Sequence, residues 1–145
     1  MGIASVRATF FIYLFSVAAV VYVCFEVGTA STKSSAATAL SLCFITTPNM
    51  TVAENIAASL VTKKLAACVN IVPGVTSVYE WQGTLEKSQE HLLIAKTRTQ
   101  LIEALISDVK KNHPYEVPEI ISTPLGPGSA EYLKWVLSST DRVTS

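Results

Sequence analysis

The sequence predicts one small α+β domain, in which four strands and two helices are followed by a third helix. Three observations predict this class. Two segments carry apolar residues at helical spacing, two long segments rich in β-favouring residues flank a Gly turn, and short apolar runs precede and follow them. The expected order is strand, helix, strand, strand, helix, strand, helix.

The first strand and helix are predicted from a short apolar run and a capping signal. Residues 40–46 are apolar and rich in β-favouring side chains, and Pro48 ends the run. Thr51 and Glu54 have the spacing of a capping box that begins a helix. Apolar residues then recur at helical spacing over 52–61, which predicts an amphipathic helix.

The next two strands are predicted to form a long hairpin. Residues 66–81 are rich in Val, Ile and Thr, but Pro73-Gly74 interrupts them and predicts a bend or bulge. Gln82-Gly83 is typical of a tight turn, and residues 85–97 return as the partner strand.

The second half of the domain repeats the pattern. A second possible capping box at 97–100 precedes an apolar stripe over 101–109, and Asn112-His113-Pro114 ends that helix. Residues 117–123 are the last strand and 129–137 a terminal helix. This is a ferredoxin-like β-α-β-β-α-β sandwich with a C-terminal helix.

One face of such a sheet is left bare by the two helices. The central hairpin carries Tyr79 and Trp81, so we predict that sheet contacts between subunits, including the terminal helix with Trp135, form a closed oligomer.

Composition and motifs exclude several function classes. The chain has 145 residues, with 11 basic and 11 acidic side chains, so it has no electrostatic footprint for nucleic acid. Two histidines and the pair Glu116 and Glu119 are suited to acid–base chemistry. Nucleophile-elbow, phosphate-loop and metal-hydrolase motifs are missing from the sequence. We therefore predict that the protein is not an enzyme.

The N-terminal 30 residues are predicted to be a targeting segment. An apolar run at 10–25 follows Arg7 and precedes the small residues 28–30, as in a cleaved signal peptide. An uncleaved signal anchor that tethers residues 9–27 in a membrane is one alternative, and an organelle transit peptide is another. The expected location is the secretory pathway, either secreted or membrane-anchored, and the alternative is an organelle after transit-peptide removal.

The remaining boundaries follow from composition. Residues 31–39 are small and polar and predict a linker, 40–138 form the folded domain, and 139–145 are a flexible tail. The triplet that begins at Asn49 permits N-glycosylation if the domain enters the secretory pathway.

Five separated segments resemble signature stretches of the CutA family of divalent-cation-tolerance proteins. They are 65–74 (LAACVNIVPG), 77–83 (SVYEWQG), 96–97 (KT), 113–119 (HPYEVPE) and 132–135 (YLKW). The resemblance runs from about 42 to 136 with spacings intact. It implies a tight homotrimer on a PII-like plan, a role in tolerance or response to copper and other divalent ions, and copper binding in some members. A scaffold or anchoring role without metal is an alternative.

The resemblance also bears on the candidate metal ligands, His113 and Cys68. The proposed copper ligands of bacterial relatives are a Cys and two successive His residues. They correspond here to Ile45, Asn112 and His113, so only the second histidine is kept. Cys43 is two residues from Ile45, on the same strand face, but is not the matching position. Cys68 matches a family cysteine, and a structural thiol is its alternative role. For His113 the alternative is a helix-terminal histidine favoured by the helix dipole.

A small-ligand cleft between subunits is the second functional hypothesis. Mixed charges and aromatic rings are typical of ligand sites, although ion pairs at an interface have the same composition. The candidate residues are Tyr79, Trp81, Lys96, Tyr115, Glu116 and Glu119.

Overall fold

The computed structural model describes residues 39–141, and the element order within them is the predicted one. The elements are β1 (Leu40–Thr47), α1 (Met50–Thr62), β2 (Cys68–Trp81), β3 (Thr84–Arg98), α2 (Ile102–Asn112), β4 (Ile120–Pro124) and α3 (Ala130–Ser139). A 3-10 turn, Thr99–Leu101, precedes α2. The predicted targeting segment and almost all of the predicted linker lie outside the described residues.

The four strands form one antiparallel sheet in the order β2-β3-β1-β4. β1 pairs with β3 from Leu40 opposite Arg98 to Thr47 opposite His91. β2 pairs with β3 over a greater length, and its register shifts between Val72 and Val75. The shift contains Pro73-Gly74, so the predicted bulge is confirmed.

The hairpin turn also has the predicted position. Gln82 and Gly83 have φ values of 50° and 80°, the left-handed region that suits a tight two-residue turn. Because β1 ends opposite His91, residues 84–90 of β3 and their partners in β2 extend beyond β1. We call this part of the hairpin the arm.

The hydrophobic core lies between one face of the sheet and the helices α1 and α2. Period-two alternation places Cys43 and Ile45 on that face, and both are fully buried. Their shared face is as predicted. The core contains Cys43, Ile45, Ala53, Ile56, Leu60, Leu65, Ala66, Leu93, Ala95, Leu105 and Val109.

The opposite face is covered at one end by α3. Val136 packs with Leu40 and Ala67, and the Arg98 guanidinium donates to the Leu137 carbonyl oxygen at 2.7 Å and to Thr140 Oγ1 at 3.2 Å. Thr140 is 1% exposed. The ordered domain therefore continues two residues past the predicted boundary at 138.

Both predicted capping boxes differ from the structure. The N-cap of α1 is Asn49, not Thr51, because Asn49 Oδ1 accepts from the Val52 N–H at 3.0 Å. Thr97 does not cap α2, because it still belongs to β3 and its buried hydroxyl donates to the Leu65 carbonyl oxygen at 2.6 Å.

The helices within residues 39–141 are all too short or too polar to cross a membrane. The predicted anchor at 9–27 lies outside that range.

Candidate functional site

A cleft of about 970 Å³ lies between the arm of the hairpin and the segment 114–119 that connects α2 to β4. Five of the six residues predicted for a ligand cleft line it: Tyr79, Trp81, Tyr115, Glu116 and Glu119.

The arm contributes one side of the cleft through strand alternation. Ser77, Tyr79 and Trp81 are two residues apart along β2, so they share a face. The register of β3 places Ser88 and Glu90 on that face, opposite Ser77 and Val75. This face of the arm, which extends beyond the end of β1, carries polar as well as aromatic side chains.

The connecting segment is held in place by His113, the residue that follows α2. Its Nε2 lies 2.8 Å from the Thr46 carbonyl oxygen, and its Nδ1 accepts from the Tyr115 N–H at 3.1 Å. Nε2 therefore carries the proton and donates it. The His113 side chain is buried, and the Tyr115 ring meets it edge-on with a centroid separation of 4.9 Å. A metal ion at His113 would have to replace one of these two hydrogen bonds.

Glu90 lies at the bottom of the cleft and was not predicted. It is 4% exposed, and Ser77 Oγ donates to its Oε2 at 2.5 Å. Burial raises the pKa of Tyr115, and the neighbouring Glu90 and Tyr79 raise it further. The Tyr79 hydroxyl bonds Ser88 Oγ at 3.0 Å. The one sequence signal for Glu90 is that it shares a strand face with the apolar Leu92.

The lining of the cleft is acidic. Among the described residues that line it, four are glutamates and none is Lys, Arg or His. The glutamates are Glu80, Glu90, Glu116 and Glu119. Such a site favours positively charged ligands over anions.

Lys96, the sixth predicted cleft residue, lies elsewhere. Its ammonium donates to Asn70 Oδ1 and, at 3.3 Å, to the Ile94 carbonyl oxygen. Lys96 is six residues beyond Glu90 on the same strand, about 20 Å at 3.3 Å per residue.

Cys68 is also distant from His113. Cys68 lies opposite Lys96 of β3. His113 contacts the carbonyl of Thr46, which lies opposite Leu92 of β3. Lys96 and Leu92 are four residues apart, so the two sites are separated by about 13 Å along the strands. Burial raises the pKa of Tyr132, and the neighbouring Cys68 side chain raises it further. The two predicted metal ligands therefore do not converge within one chain.

The described residues also contain no cluster of three His, Cys, Asp or Glu side chains that could hold a metal ion. Burial raises the pKa of the Cys43 thiol to about 11, as expected of an inert structural cysteine. One described chain thus lacks the donor set of a preformed copper site.

Comparison with known families gives a match over most of the described residues. The family model "CutA1 divalent ion tolerance protein" matches residues 41–139. "Protein CutA homolog" of Xenopus laevis is 50% identical over 108 residues, covering 74% of this chain and 72% of the relative. "Protein CutA, chloroplastic" of Arabidopsis thaliana is 50% identical over 97 residues, covering 67% of this chain and 53% of the relative. The chain thus spans only about half of the plant protein.

Solved structures agree with the sequence match. The crystal structure of CutA1 from Oryza sativa has a TM-score of 0.70 and 45% sequence identity, covering 74% of this chain and 98% of the rice chain. The predicted ferredoxin-like fold and the resemblance on which the expected function depends are both confirmed.

Proposed function

The chain belongs to the CutA1 family of divalent ion tolerance proteins, and from this premise we propose that it is a non-enzymatic, homotrimeric protein that binds divalent metal ions. The observation that carries the metal-binding part is the cleft, whose lining has four glutamates and no basic side chain among the described residues. Its charge concentrates cations near the protein.

Metal ions would be held in the cleft by one or two carboxylates, with water as the remaining ligands. Hard divalent ions accept such a partly hydrated arrangement. Copper prefers imidazole and thiolate, and for copper the candidate ligand remains His113. The ion would have to compete with the Thr46 carbonyl for Nε2 or with the Tyr115 N–H for Nδ1. Cys68 would join it only through another subunit, because the two side chains lie apart in one chain.

The proposed trimer would cover the sheet face that α3 leaves open. Leu42, Phe44, Leu92 and Ile94 on that face are only partly buried in one chain, and Ile121 is 57% exposed. An apolar surface of this kind is typical of a subunit contact. Trp81, 48% exposed on the arm, is the proposed aromatic contact.

Light scattering of Trp81→Ala tests the assembly. We expect the mass to fall from trimer toward monomer at low micromolar concentration, whereas Met50→Ala, at an exposed site on α1, keeps the wild-type mass. An unchanged trimer in Trp81→Ala would remove Trp81 from the contact.

Calorimetric titration with zinc and with reduced copper tests the metal function. We expect saturable zinc binding to the wild type, and loss of at least tenfold in affinity in the double variant Glu116→Gln/Glu119→Gln. His113→Ala should weaken copper binding specifically, and His91→Ala, which alters the other histidine of the chain, is the matched control. A folded protein that does not bind zinc would overturn the proposal of divalent-ion binding, because reduced copper is monovalent and tests His113 alone.

For location, we propose that residues 1–30 direct the chain into the secretory pathway. The relative named chloroplastic supports an organelle as the alternative destination. Mass spectrometry of the mature N-terminus and of the peptide that contains Asn49 distinguishes the secretory pathway from an organelle. A glycan on Asn49 forms only on the secretory route. The Asn49 side chain is exposed and caps α1 through Oδ1, which leaves Nδ2 available for a glycan.

A second candidate function is regulation by a small organic ligand in the same cleft. The aromatic lining favours it, since a metal ion held by carboxylates and water does not need Tyr79, Trp81 and Tyr115 around it.

A further inference from the structure

The buried carboxylate of Glu90 has a hydrogen-bond donor but no salt-bridge partner among residues 39–141. Ser77 Oγ donates to it at 2.5 Å. The salt bridge found within those residues joins Lys63 to Asp108 instead. Carboxylates that are 4% exposed are nearly always paired with a positive group. The site is therefore arranged for a cation that the described chain does not itself supply.

The rings around Glu90 indicate which kind of cation fits. Tyr79, Trp81 and Tyr115 all line the cleft and each remains between 38% and 48% exposed. Aromatic faces attract ammonium groups through the negative charge of their π-systems. They also provide apolar surface for an alkyl chain, whereas a strongly hydrated inorganic ion gains nothing from such surface.

The size of the cleft and the spread of its charges point to more than one positive group. Its volume of about 970 Å³ is at the upper end of small-molecule sites. One carboxylate, Glu90, lies at the bottom on β3, while Glu116 and Glu119 belong to the connecting segment. No three of the described acidic side chains lie close enough together to hold one ion between them. A flexible organic cation can reach separated carboxylates that a single ion cannot.

We propose that this cleft binds an aliphatic diamine or polyamine, with one ammonium group at Glu90, the alkyl chain against the three aromatic rings, and a second ammonium group at Glu116 and Glu119. The proposal rests on the proposed use of the cleft as a cation site, and it names the class of organic ligand.

Calorimetric titration of the full chain with 1,4-diaminobutane and spermidine tests the proposal, with 1-aminobutane and 1,4-butanediol as matched ligands of lower charge. We expect the diamine to bind at least tenfold more tightly than the monoamine, since one charged hydrogen bond is worth about 1.4 kcal/mol or more. The neutral diol should not bind. Affinity should fall as NaCl rises from 50 to 300 mM.

Two variants locate the site. Glu119→Gln changes the connecting segment and Glu90→Gln the bottom of the cleft, and each should weaken diamine binding about tenfold. Glu103→Gln, an exposed change in the first turn of α2, removes the same charge away from the cleft and should bind as the wild type. Circular dichroism checks that Glu90→Gln is folded, and Glu119→Gln keeps the test valid if it is not.

Three results would overturn the proposal. In the first, zinc binds but the diamine does not bind at millimolar concentration, so the metal function stands and this inference fails. In the second, Glu119→Gln binds the diamine as tightly as Glu103→Gln does, which makes the attraction a general charge effect. In the third, the diamine does not bind and folded Glu90→Gln changes the trimer mass, so the missing cation is a side chain of another copy.

Discussion

Asp108 connects the two core helices, and replacing it with Asn tests how much this polar contact stabilises the fold. The Asp108 side chain lies in α2 and is 9% exposed. Its Oδ2 accepts from Ser59 Oγ of α1 at 2.7 Å, and its Oδ1 forms an ion pair with Lys63. Asn has nearly the same volume as Asp, so Asp108→Asn removes the charge without leaving a cavity.

We expect Asp108→Asn to lower the free energy of unfolding by about 1.5 kcal/mol. A hydrogen bond to a charged group stabilises by about 1.5–3 kcal/mol and a neutral one by about 0.5–1.5, so the Ser59 bond weakens by about 1 kcal/mol. The Lys63 side chain is 52% exposed, and a solvent-screened ion pair of this kind adds only about 0.5 kcal/mol.

The cost should depend on pH. Burial alone would raise the pKa of Asp108, but hydrogen bonds from Lys63 and Ser59, with the charges of Lys63 and Lys111, lower it below its ordinary value of 3.8. When the pKa of a carboxyl group is lower in the folded state, its stabilisation is complete above the unfolded pKa. The stabilisation is lost as pH falls through the folded pKa. The difference between wild type and Asp108→Asn should therefore be complete at pH 7 and shrink below about pH 4.

Urea unfolding followed by circular dichroism measures this difference, at one fixed protein concentration because assembly contributes to stability. Asp141→Asn, an exposed change after α3, is the matched control and should unfold as the wild type at pH 7. The reasoning is refuted if Asp108→Asn matches the wild type at pH 7, or if its deficit is as large at pH 3 as at pH 7.

Three further predictions concern the core, the hairpin turn and the thiols. Leu105→Ala, at a fully buried position, should lower the free energy of unfolding by about 2–5 kcal/mol in the same urea assay, and a cost below 1 kcal/mol would contradict the described packing. Gly83→Ala should lower the free energy of unfolding by about 1 kcal/mol. An added Cβ would meet no atom within 4 Å, but the φ of +80° is unfavourable for any residue with a side chain. Gly126→Ala, where space is also open but φ is not positive, is its control, and equal costs would refute the strain argument. Burial raises the pKa of Cys43 to about 11, so iodoacetamide at pH 8 should modify the partly exposed Cys68 well before Cys43, and equal rates by peptide mass spectrometry would show that Cys43 is accessible.

Local signals were enough to predict most of the fold. The turn at Gln82-Gly83 and the bulge at Pro73-Gly74 depend on backbone preferences of the residues themselves. The cap of α1 was missed because Asn49 and Thr51 are both good capping residues. Only the folded backbone shows that Asn49 Oδ1 reaches the Val52 N–H.

The candidate site could be predicted only in part. Tyr79 and Trp81, which were chosen because an aromatic pair on a long hairpin is conspicuous in the sequence, line the cleft of one chain, and their role in binding stays a prediction. Glu90 was missed because its burial is a property of the folded chain, in which it shares the cleft with Tyr115 from a distant segment. Lys96 does not line the cleft of one chain, because alternation along β3 gives the face of a residue but not its distance from a site. Its place in a cleft between subunits stays a prediction.

The cleft exists because the strands differ in length. β2 and β3 have 14 and 15 residues, whereas β1 has 8. Beyond the end of β1, the arm has no neighbouring strand, and the segment after α2 occupies the available space. His113 fixes that segment by bonding the Thr46 carbonyl near the end of β1. The residues that line the cleft are all different from those of the core cluster between the sheet and the two helices. This separation of site from core is the physical reason to expect that Glu119→Gln will alter binding and leave stability nearly unchanged.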